Sequence, residues 1–142
     1  RLSQPPMKGE RGSVTLWMVG LVMVVFVVGG IAIDLWRGLS AYSYVSSLVD
    51  SAAVAAGSGI DESVWRLEGR LVLDPARVRS RVGEAIAAQA GFPVAYDIDI
   101  AADGSEASVR AWASVDLTLL RLVTTGPVEV SARATVTPAL SP

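Results

Sequence analysis

Residues 14–33 read VTLWMVGLVMVVFVVGGIAI, with no Asp, Glu, Lys or Arg among them. As an α-helix rising about 1.5 Å per residue, such a stretch matches the roughly 30 Å hydrocarbon layer of a bilayer. A helix apolar on every side can also be the centre of a soluble core, but the rest of a 142-residue chain is too small to enclose one. The stretch is therefore predicted to cross a membrane once. A cleaved secretory signal has a shorter apolar region and a small-residue cleavage site, whereas Asp34, Leu35, Trp36 and Arg37 follow directly on this full-length span. It is predicted to stay as an anchor.

Upstream, residues 1–13 carry Arg1, Lys8 and Arg11 against the single acid Glu10, while Asp34 and Arg37 offset each other just beyond the span. An excess of basic residues stays on the cytoplasmic side. The N-terminus is thus expected in the cytoplasm and everything after Asp34 outside, with possible display on the cell surface. Trp17 and Trp36 lie near the two ends of the span, where indole rings favour the headgroups, so membrane lipid is the first expected partner. Asp34 and Arg37, three residues apart, are spaced for an ion pair on one side of the helix. The other reading of Asp34 is a buried carboxylate meeting a cation of a partner inside an assembly. Gly20, Gly29 and Gly30 lower the bulk of the helix and would admit a close neighbour.

Helical periodicity continues past the span. Val45, Leu48, Val49, Ala52, Ala53 and Ala56 fall at i, i+3, i+4, i+7, i+8 and i+11, and Gly57 and Gly59 supply a stop. If Gly38 does not break the run, residues 14–57 form one rod about 66 Å long. Its small-residue stripe, the extracytoplasmic continuation over residues 34–57, has two possible occupants: the protein's own globular domain, or the corresponding rods of other copies in a filament. The period alone fits both.

Composition narrows the chemistry. Without cysteine there is no disulfide framework, thiolate nucleophile or Cys metal site, and without histidine the commonest neutral-pH base and transition-metal ligand are missing. A net charge of -2 with no basic stripe argues against nucleic acid. No phosphate-cradling Gly-rich loop or nucleophile elbow occurs, so no catalytic, cofactor-binding or metal residues and no small-molecule substrate are assigned. The chain is not expected to be an enzyme.

Residues 60–142 make the second part, with 11 acids against 8 bases. Asp74-Pro75 is a helix start and Gly91 with Pro93 an end, giving a helix over 75–90 with Val78, Val82, Ala85 and Ile86 on one face. Arg77, Arg79, Arg81 and Glu84 fall mainly elsewhere, as a solvated face does. Period-two alternation follows in three segments: Val94 to Ile100, Ala107 to Leu119, and Val128 to Val136. Asp103-Gly104 turns the first into the second as a hairpin, and Gly126-Pro127 separates the second from the third. Leu71 to Leu73 is a candidate edge strand. Asp97, Asp99, Asp103 and Glu106 gather around the hairpin but lack the spacing of an EF-hand loop, and read as a solvated face. The fold class predicted is α+β: a long N-terminal transmembrane helix, then one helix laid on a three- or four-stranded antiparallel sheet.

Three pieces of sequence carry a family likeness. Glu10-Arg11-Gly12-Ser13-Val14-Thr15-Leu16-Trp17, the run Gly29-Gly30-Ile31-Ala32-Ile33-Asp34-Leu35-Trp36-Arg37, and Asp50-Ser51-Ala52-Ala53-Val54-Ala55-Ala56-Gly57, in this order, resemble the TadE/TadG-like proteins of Flp (tight adherence) pilus systems, especially their actinobacterial forms. The likeness spans roughly residues 10–75. It implies a pilin-like or minor-pilin component of a type IV-like filament, partnered by itself or other pilin-like subunits and by the pilus assembly machinery. One position departs from processed pilins: with cleavage after Gly12 the fifth residue of the product is Trp17, where a glutamate is usual. An uncleaved assembly factor in the membrane, or a subunit packing without that glutamate, fits the departure. The alternative function is a single-pass binding or accessory subunit of another envelope complex.

Overall fold

The computed structural model describes residues 11–89, 91–120 and 126–139. The basic segment before residue 11 and the last residue of the helix expected over 75–90 lie outside the described residues. One helix dominates: α1 runs unbroken over Arg11–Gly57, 47 residues, about 70 Å. Gly38 does not interrupt it, since a single glycine weakens a helix by only about 1 kcal/mol and the turns on both sides continue the pattern. Its apolar half, near the N-terminus, is the one described helix long and apolar enough to cross a membrane.

After α1 the chain forms α2 (Glu62–Glu68), α3 (Pro75–Gln89), β1 (Ala95–Ile100), β2 (Ala107–Val115) and β3 (Val128–Val136). The strands make one antiparallel sheet in the order β1-β2-β3, so the architecture is α+β. In register, Ile98 faces Val109 and Val109 faces Ala134, which lines the inward side chains of all three strands in one row. The β1–β2 hairpin turns where expected, with Gly104 at φ 68, a left-handed conformation that glycine adopts without strain.

Four sequence expectations are corrected. The helix lying across the sheet is α1 rather than α3: α1 packs on β2 and β3, and α3 packs on α1. Val45, Leu48, Val49, Ala52 and Ala56 of α1 join Val78, Val82 and Ile86 of α3 and Ala107, Val109, Ala111 and Ala113 of β2 in a single core. Alanines on both sides let helix and sheet approach closely, and a Cβ on Gly57 would press on Val136. Second, α2 was not anticipated. It buries no residue, so no apolar period announces it, and only its caps do: Asp61 accepts from Ser63 N and Val64 N, and Gly69 closes it at φ 66. Third, Leu71 to Leu73 is no strand of the sheet; Leu73 forms an isolated bridge to Ile60 and donates its N–H to Gly104 O at 2.9 Å. Fourth, β2 ends at Val115 rather than Leu119, because the next residues leave the sheet for α1.

Side-chain bonds tie α3 to the rod as well. Tyr44 Oη donates to Gln89 O at 2.7 Å and accepts from Gly91 N at 2.6 Å, while its ring lies 4.6 Å from that of Phe92. Asp74 caps α3 by accepting from Ala76 N at 2.9 Å. Arg77 pairs with Glu62 at 2.9 Å, so the exposed arginine face is partly neutralised by α2.

Candidate functional site: the two faces of the long helix

The stripe of α1 beyond the span is fully occupied within the chain. Val45, Leu48, Val49, Ala52, Ala53 and Ala56 are each buried at 5% exposure or less. Of the two occupants weighed for it, the protein's own domain covers it, and a neighbouring copy has no access to these six side chains. The filament-interface reading of this stripe is thereby corrected: the sheet supplies the apolar partner that an Ala/Val face requires.

The other face of the same helix is bare. Every described residue from Ser13 to Gly29 is exposed, as the side chains of a helix in lipid or against other helices must be. Past the span the apolar character continues on that face through Leu35, Trp36, Leu39 and Tyr42, with Leu39 at 65% and Trp36 at 72% exposure. Leu35, Leu39 and Tyr42 fall at i, i+4 and i+7, one ridge about 10 Å long. Higher up, Ser43, Ser47 and Asp50 replace it, so the apolar ridge ends one to two turns above the span. Trp17 is exposed near the other end.

Between the faces sits Asp34, at 1% exposure. Its carboxylate is not turned to Arg37 or toward another molecule. Oδ1 accepts from Thr118 N at 2.9 Å, and Oδ2 accepts from Leu119 N at 2.6 Å and Leu120 N at 3.0 Å. Three successive backbone N–H groups converging on one carboxylate form an anion nest, and charge-assisted bonds of this kind are about twice as strong as neutral ones. Arg37 Nη1 donates to Thr118 Oγ1 at 2.9 Å, so both charged residues just after the apolar stretch hold the segment that follows β2. Gly30, one turn deeper, makes room for it: a Cβ there would overlap Leu119 Cδ1. The small residue admits a neighbour, and that neighbour is a loop of the same chain. Gly20 and Gly29 have no such contact, with nothing within 4 Å of a Cβ built on either.

Sequence reasoning missed Thr118, Leu119 and Leu120 as partners of Asp34. The available signal was the break in alternation at Leu119-Leu120, where two leucines are adjacent and a strand with one wet face does not continue. On the outer face of the sheet, Asp97 stands in register with Arg110, and Arg110 with Arg133. Arg133 Nε donates to Ser108 Oγ at 2.6 Å. Asp103 accepts from Ser105 Oγ at 2.6 Å and Ser105 N at 3.1 Å, which holds its carboxyl below the ordinary 3.8. Its Oδ1 is thus engaged in the turn. Among the described residues no three Asp or Glu side chains are grouped to hold a metal ion.

No family model, no curated protein and no solved structure matches this chain.

Proposed function

We propose that this protein is a non-enzymatic, single-pass envelope subunit of the pilin-like type, a structural or accessory component of a Flp/Tad type IV-like pilus. It assembles through the bare side of α1. The N-terminus lies in the cytoplasm and the α+β domain outside the membrane. The observation that carries the reading is the division of labour along one unbroken helix: its distal half is part of the core of the domain, while in its proximal half residues 13–29 and the ridge Leu35-Leu39-Tyr42 stay exposed among the described residues, the loop after β2 covering the side at Gly30 and Asp34. A rigid rod with a head fixed to one side leaves the opposite side for neighbours, which in lipid associate by van der Waals fit and outside it gain about 25 cal/mol per Å² of apolar area removed from water.

The chain contains no cysteine, so Leu39→Cys introduces a single reactive position on the ridge. Oxidation in cells producing this variant should give a disulfide-linked dimer in membranes and in sheared surface filaments, with Glu84→Cys on the exposed face of α3 giving none. Monomer alone from Leu39→Cys would remove the ridge as a contact between copies.

One observation favours a second reading. Because the stripe at Val45 to Ala56 is used internally, little of the rod outside the membrane remains for polymerisation. That suits an accessory subunit docking on another envelope complex. In the same experiment this reading predicts a Leu39 adduct with a different polypeptide, distinguishable by mass.

A further inference from the structure

We propose that the segment Asp116–Leu120, between β2 and β3, is a second membrane contact, seated in the outer headgroup and acyl boundary beside the exit of α1. The inference rests on the reading of residues 14–33 as the span. Its first support is depth. Leu119 packs on Gly30, and Gly30 lies three residues inside Ile33, the last apolar residue of the span. At about 1.5 Å per residue, the Leu119 side chain therefore sits roughly 4–5 Å on the membrane side of that boundary. The span is about 30 Å long, equal to the hydrocarbon layer, so little sliding of the helix is available to lift the loop clear.

The second support is direction. β2 runs antiparallel to the outward course of α1: its start, Ala107, pairs with Val136 near Gly57 at the far end of the domain, and its end leads to Asp34 at the membrane exit. The connection after β2 is consequently on the membrane side, and the β1–β2 turn at residues 101–106 is on the opposite side.

The third is chemistry. Leu117, Leu119 and Leu120 give three leucines in four residues, all only half-buried by the chain itself. Trp36, exposed, lies two residues beyond Asp34 on the helix, and Arg37 holds Thr118 from the adjoining position. Apolar side chains at the acyl boundary beside an indole and a guanidinium are the composition of an interfacial anchor. Satisfying the N–H groups of residues 118–120 on Asp34 matters for the same reason, since unpaired backbone donors near hydrocarbon cost several kcal/mol each. Lipid is the occupant because the segment is continuous with the span; a protein neighbour would have to displace lipid at that depth.

Full-length protein carrying a nitroxide on Leu120→Cys, reconstituted in phosphatidylcholine and phosphatidylglycerol vesicles, tests this against labels on Val22→Cys and Ala102→Cys. The expected result is an oxygen-over-nickel-chelate collision ratio several-fold higher at 120 than at Ala102, and lower than at Val22. A ratio at 120 equal to that at Ala102, with Val22 still in lipid, overturns the second contact and leaves the span intact. Shielding of 120 from both reagents also overturns it, in favour of a protein cover. A water-exposed Val22 label overturns the span itself.

Discussion

At the scale of the residue, Asp34 decides how the head meets the rod. A carboxylate at the end of an apolar helix is costly in lipid unless its oxygens are satisfied, and here three N–H groups from a segment more than eighty positions away satisfy them. Asp34→Ala removes all three acceptors at once. Hydrogen exchange at the amides of Thr118, Leu119 and Leu120 is expected to quicken by about ten-fold or more, while amides of β1 and β2 keep their protection. Unchanged exchange at those three would show that the segment is held by its leucines alone. The Asp61 carboxyl is also held below its ordinary value of 3.8, first by the Ser63 hydroxyl and then by the Val64 N–H, as Asp103 is by Ser105. A depressed folded value means that these acids stabilise the fold above 3.8 and lose that contribution as pH falls through the lowered values. The melting temperature of the detergent-solubilised protein should be flat from pH 7 to about pH 4.5 and fall below about pH 4, less so in Asp61→Asn. The position of Asp34 was plain in the sequence, but its partners were not, because a carboxylate can be satisfied by any donor the fold brings near.

At the scale of the element, α1 behaves as two helices joined end to end. Its first half shows no polar face, and its second half shows a narrow Ala/Val stripe that the sheet covers. Ala52, fully buried, marks the second half. Ala52→Lys places an unpaired charge between α1 and the sheet and should destabilise the domain by about 3 kcal/mol or more, read by urea unfolding, without reducing membrane insertion. An undiminished unfolding midpoint would contradict the burial. Element boundaries were legible where a turn residue or cap adjoined an apolar period: Asp74-Pro75 opens α3, and Asp103-Gly104 closes the hairpin. They were illegible where apolar alternation ran on by accident, as at Leu117 and Leu119 after β2, and where a helix of seven residues buried nothing, as in α2.

At the scale of the whole molecule, anchor and head are one structural unit. Removing residues 1–57 takes away five of the α1 side chains that fill the core, so the remaining domain should be unfolded, lacking dispersed amide resonances. Removing only residues 1–33 leaves that core complete and should yield a folded domain; a folded fragment beginning at 58 would refute the unity of the two parts. A charge-free stretch of hydrocarbon length by itself determined the candidate span, and the strand alternation by itself determined an antiparallel sheet, because both depend on the period and polarity of neighbouring residues. Which surface covers the α1 stripe, and which donors reach Asp34, only the tertiary structure decided. Hydrophobic burial is non-directional and accepts any apolar face of suitable shape, so the choice between a second copy and the chain's own sheet depends on where the turns deliver that sheet.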